Sequence, residues 1–164
     1  MTTKSDYSAE EWKILMDLPP LVGSVVMVAG RSGAIGCMKE AFAVAQGVLG
    51  GKEGYDGNEL VGSLVDARVK DGEKSEVEQM TGNSYRGKPP EELFTTLLQM
   101  CEDVRVLLEA KSDGDESEGY RSWAVSVGDN VANAAKEGGI IERFTGSERV
   151  SPEERDVLVA VPKP

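Results

Sequence analysis

From Leu21 to Leu49 the apolar residues return every three or four positions: Val22, Val25, Val26 and Ala29, then Ile35, Met38, Phe42, Ala45 and Leu49. That spacing lays an apolar stripe along a helix and does not match the strict alternation of a half-buried strand. The same period recurs three times downstream. "ELVGSLVDARV" carries Leu60, Val61, Leu64, Val65 and Val69, and "PPEELFTTLLQMCEDVRVLLEAK" carries Phe94, Leu97, Leu98, Cys101, Val104 and Leu108. "YRSWAVSVGDNVANAAKEGG" carries Trp123, Val127, Val131 and Ala134. Only 5% of residues are aromatic, so the core rests on Val, Leu, Ala and Met. Such side chains pack between helices more readily than in a sandwich, where aromatic and β-branched residues are favoured. A chain of 164 residues fits one domain with enough length to bury a core. The expectation is an all-α fold: a single helical domain over 1–164, built as a bundle of five or six helices.

Local signals set the helix ends. "SAEE" at 8–11 is a capping box that starts a helix with Trp12, Leu15 and Met16 on one face. Pro19 and Pro20 should end or kink it, because the residue before a proline avoids the α region. "GGKEGYDGN" at 50–58 reads as a loop, and 71–88 as a polar, loop-like stretch. Pro90, with acids at 91 and 92 and a lysine at 111, suits the two ends of a helix dipole. "SDGDESEG" at 112–119 reads as an acidic loop, and Gly138 and Gly139 stop the helix that follows it. "SPEERDVLVAV" reads as a closing helix with Ser151 as cap, Pro152 in the first turn and Glu154 completing the box.

"VAGRSGAIG" at 28–36 raises a different possibility, because Gly30, Gly33 and Gly36 resemble a phosphate-cradling glycine turn. A dinucleotide-binding oxidoreductase would need an apolar strand before that turn and a series of strands after it. No convincing strand follows residue 57. Glu53 and Asp56, near the spacing of a ribose-binding acid, lie in a glycine-rich stretch with no apolar run before them. No Tyr-x-x-x-Lys pair occurs. The favoured reading is mechanical: "GRSG" is a joint between two helices.

Composition removes several chemistries. The net charge of −11 disfavours nucleic acid and anionic lipid, both of which are bound through Lys and Arg. Histidine is absent, so Ser-His and Cys-His nucleophilic systems are impossible, as is the Glu-x-x-His bridge of di-iron bundles. Cys37 and Cys101 fall in apolar segments and read as small buried hydrophobes, and two thiols cannot complete a tetrahedral zinc site. A calcium loop counted from Asp113 fails, with Glu118 at its sixth position and Ala124 at its twelfth. The polar start "MTTKSDYSAEEW" has no signal-peptide core, and the longest uncharged run, Leu18 to Gly30, is too short to cross a bilayer. These features point to a cytoplasmic protein.

The segments "AGRSGAIGCMKEAFA" and "AAKEGG…ERVSPEE", with the opening Glu-Trp helix and its proline, resemble a group of small, mostly uncharacterised bacterial and archaeal helical proteins. The resemblance covers residues 9–49 and 119–160, about half the chain, and "IIERFTGSE" stands where a more glycine-rich turn is the pattern. More distantly, "VAGRSGAIGCMKEAF" and "AAKEGGIIERFTGSERVSPEERDVL" look like two copies of one helix–turn–helix unit, which gives the bundle two similar halves. Tellurite-resistance B-like proteins are similar. That resemblance implies an all-helical fold whose turn carboxylates hold a metal, and no established reaction. Here Gly30 and Arg31 occupy the place of the turn aspartate.

Three functional expectations follow. The first is a non-catalytic cytosolic helical interaction or stress-associated protein, with no catalytic residue, acting on itself as a homo-oligomer or on an unidentified protein partner. It rests on the missing catalytic constellations and on Ala124, Gly128 and Ala132, whose spacing of four admits a close neighbouring helix. The second is a divalent-cation site of carboxylates at Glu40, Glu137, Glu153 and Glu154, since hard cations take oxygen ligands. The third is the dinucleotide enzyme at Gly30, Gly33 and Gly36.

Overall fold

The computed structural model describes residues 2–30, 34–70 and 88–138, with side chains described for these apart from 34–39 and 136–138. Among the described residues the fold is all-α: a short 3-10 turn at Lys4–Asp6, then α1 (Ala9–Ala29), α2 (Ala34–Leu49), α3 (Gly51–Gly54), α4 (Glu59–Lys70), α5 (Pro90–Lys111) and α6 (Gly114–Gly138). No strand is found among them. The expected closing helix at 151–161 and the polar stretch at 71–87 lie outside the described residues.

The capping box of α1 forms as its sequence requires. Ser8 Oγ accepts the Glu11 amide at 3.2 Å, and Glu11 Oε2 accepts the Ser8 amide at 2.7 Å. The prolines do not end the helix: α1 runs unbroken through Pro19 and Pro20 to Ala29. Every residue from 18 to 26 is buried, so this stretch is apolar on all sides because it is covered on all sides. As one helix of 21 residues, α1 is long and apolar enough to cross a membrane, which the shorter uncharged run within it is not; 61% of its apolar window is buried inside the bundle.

α1 packs against α2, α5 and α6, and α2 packs along α6. The α2–α6 pair is antiparallel. Gly51, just after α2, lies under Trp123, and one turn back Gly47 lies under Val127. A Cβ at Gly47 would stand 3.1 Å from the Val127 Cα, so the backbones meet with no side chain between them. Trp123 Nε1 donates to the Gly47 carbonyl at 3.2 Å. Ala124, Gly128 and Ala132 are all buried, and the neighbours their face admits belong to the same chain.

Four details differ from the sequence reading. Residues 51–54 form a helical turn rather than loop, and the chain then reverses through Gly57, whose φ of 91° suits glycine. Val69 is 60% exposed, so the inward stripe of α4 ends at Val65. On α5 the buried line is Leu93, Leu97, Cys101, Val104 and Leu108, with Leu107 beside it, while Leu98 is 44% exposed. α6 begins at Gly114, so most of the acidic stretch at 112–119 is the first turns of a helix. Asp113 caps it, its Oδ1 accepting the Glu116 amide at 2.8 Å. Acids in a first turn are favoured by the helix dipole, which is why an apparent loop composition folds as a helix start.

Candidate functional site

Of the residues expected to bind a ligand, Glu40 is the one whose side chain the structure places in the interior, at 0% exposure. It lies on α2 at the head of the inward line Ala43, Val44, Gly47 and Val48. The antiparallel register with α6, in which Gly51 meets Trp123 and Gly47 meets Val127, sets Glu40 at the level of Ala134. Glu137 falls in the last turn of α6, at the same end of the helix pair. Glu153 and Glu154 lie outside the described residues. Among the described residues no group of three or more His, Cys, Asp or Glu side chains forms a metal-binding cluster. Removing an ionised carboxylate from water is costly unless charge or hydrogen bonds compensate it, so full burial singles out Glu40 among the described side chains of α2.

A helix leads into the glycine segment. The residues before it are the last turns of α1, whereas the fingerprint needs a strand there. Gly30 caps that helix in the right-handed region, at φ −70°, and its amide donates to the Val26 carbonyl at 3.0 Å. Gly36 stands in the first turn of α2, and Gly33 lies outside the described residues. One helix ends at Ala29 and the next starts at Ala34.

Two polar clusters were not foreseen. At the end of the bundle where α6 begins, Glu116 is 5% exposed and accepts both the amide and the hydroxyl of Thr2, each at 2.7 Å. The Tyr7 hydroxyl bridges Thr2 Oγ1 at 3.0 Å and Ser112 Oγ at 2.9 Å. Asn58 joins this cluster to α4: its Oδ1 accepts the Val61 amide at 3.0 Å, and its Nδ2 donates to the Glu116 carbonyl at 2.9 Å. Asn58 is an ordinary cap former, a signal present in the sequence; its meeting with Glu116, 58 residues away, is not.

The second cluster lies beside the prolines of α1. Tyr120, fully buried, donates its hydroxyl to the Leu15 carbonyl at 2.7 Å. The Arg68 guanidinium donates to the Met16 carbonyl and lies 3.8 Å from the Asp17 carboxylate. Burial raises the Tyr120 phenol well above its ordinary value, so it acts here as a hydrogen-bond donor and not as a base. Burial also pushes the Cys101 thiol up to about 11, which leaves it a poor nucleophile.

The outer faces carry Phe42, 61% exposed on α2, and Leu98 and Val106, 44% and 52% exposed on α5. No family model, curated protein or solved structure matches this chain.

Proposed function

We propose that the chain is a non-catalytic helical interaction protein of the cytosol, acting on a second copy of itself or on another protein. Phe42 carries this reading. The inner line of α2 is occupied by α1 and α6, yet its outer face presents a phenyl ring with 61% of its surface in water. Covering such a ring is worth about 1.5–3 kcal/mol. The net charge of −11 favours protein partners over nucleic acid. Sedimentation over a hundredfold range of concentration tests self-association. A larger species that is lost in Phe42→Ser supports it, and a monomer throughout refutes it.

The burial of Glu40 favours a second reading, a divalent cation held by carboxylates where α2 begins and α6 ends. The resemblance to tellurite-resistance B-like proteins points the same way, although the aspartate of their turn is replaced here. Calorimetric titration with calcium, magnesium and manganese decides it. Binding heat that disappears in Glu40→Gln supports the site, and no heat from any of the three removes it. The dinucleotide reading is not carried forward, because a helix stands where its leading strand must be.

A further inference from the structure

Two consecutive prolines remove two main-chain donors from the middle of α1. In an unbroken helix residue 19 donates to the carbonyl of residue 15, and residue 20 to that of residue 16. Pro19 and Pro20 have no N–H to give. The carbonyls of Leu15 and Met16 are the two that receive side chains from elsewhere in the bundle, Tyr120 from α6 and Arg68 from α4. Leu15 and Tyr120 are both 0% exposed, so water has no access to replace the hydroxyl. A buried carbonyl left without a partner is destabilising, because it loses its water and gains no donor.

The two sides of the proline pair also carry different contacts. Before it, Glu11 pairs with Lys111 at 2.7 Å, and the adjoining Tyr7 bonds Ser112, so this half is tied to the end of α5. After it, Gly23 faces Val44 of α2 and Val127 of α6. The α conformation is disfavoured at residues that precede a proline, so the chain has an intrinsic tendency to leave the helix at this step.

We infer that Pro19 and Pro20 form a hinge between two separately opening halves of α1, and that Tyr120 and Arg68 are the latch that holds it closed. With the latch in place α1 is one rod. Without it, residues 9–18 open as a unit and uncover Trp12, Leu15 and Leu18, while residues 21–29 stay packed on α2 and α6. This inference does not rest on the interaction reading.

Native-state amide hydrogen exchange on the full chain tests it, because opening of a local unit is read directly as faster exchange of its amides. In the parent protein, amides of residues 13–18 should exchange faster than those of 21–29. Tyr120→Phe keeps the ring and removes the hydroxyl; it should speed residues 13–18 roughly tenfold and leave 21–29 and 123–135 within twofold. Pro19→Ala returns a helical donor to Leu15, so in that background Tyr120→Phe should change residues 13–18 less than about threefold. This cycle separates a latch from simple fraying of a helix end. Even acceleration across 13–29, or an undiminished effect in the Pro19→Ala background, overturns the proposal. If Tyr120→Phe does not fold, Arg68→Met gives the same comparison through Met16 with Pro20→Ala. Equal protection of 13–18 and 21–29 in the parent protein overturns the hinge with no variant needed.

Discussion

The indole of Trp123 lies so close over Gly51 that a Cβ at residue 51 would overlap its Nε1. The same nitrogen donates to the Gly47 carbonyl, so α6 is fixed against the end of α2 by a contact that glycine alone permits. Gly51→Ala must displace a fully buried ring. We expect a loss of about 1–3 kcal/mol, a fall of roughly 3–10 °C in Tm for a chain of this size. Gly54→Ala is the control, since nothing lies within 4 Å of its added Cβ. Its Tm should not fall by more than about 1 °C, given how little most surface substitutions change stability. Equal losses for both would place the cause in the α3 backbone instead of the Trp123 contact.

Leu97 and Leu98 are adjacent and chemically identical, but α5 turns the first inward at 0% exposure and the second outward at 44%. Leu97→Ala should cost about 2–5 kcal/mol by cavity formation, and Leu98→Ala no more than about 0.5 kcal/mol. Urea unfolding of the two variants measures the difference. Similar costs would mean that α5 is rotated from the packing described.

Cys101 should be silent to a thiol reagent while the protein is folded. It is 2% exposed, and desolvation has moved its thiol up to about 11. Alkylation at pH 8 followed by peptide mass analysis should leave Cys101 unlabelled in buffer and label it fully in denaturant. Rapid native labelling at this residue would show that the α5 face is open.

Acid should destabilise the fold. The Lys111 ammonium and the Ser8 amide hold the Glu11 carboxyl below its usual value, and the Glu116 amide does the same for Asp113. The Thr3 backbone amide lowers Asp6, and Arg105 lowers Glu102. A depressed folded pKa stabilises above the unfolded pKa, and that contribution is lost as pH falls through the folded value. Asp129 works in the opposite sense, since burial raises its carboxyl. With four groups lowered against this one among the described residues, stability should decline as pH drops below the ordinary glutamate pKa of 4.5. Melting curves from pH 6 to pH 2 measure the slope. In Lys111→Met the acid loss should be shallower, because Glu11 no longer has its cation.

The sequence by itself determined the helices and much of their capping. The period of three to four, the box at Ser8 and Glu11, and the proline at the start of α5 are local, and local geometry was enough to give an all-α fold among the described residues. Rotation was less legible. Leu98 and Val69 have the right spacing for their stripes and still face water, because the edge of a stripe depends on where the neighbouring helix lies. Only the tertiary structure decided the fate of the prolines. Their effect on an isolated chain is to break the helix, and donors from Tyr120 and Arg68, distant in sequence, satisfy the carbonyls that the break would otherwise expose. The same holds for the candidate site. A glutamate at position 40 is ordinary on a surface helix and costly in a core, and which of the two it is depends on the antiparallel register of α2 and α6, fixed by Gly47, Gly51 and Trp123.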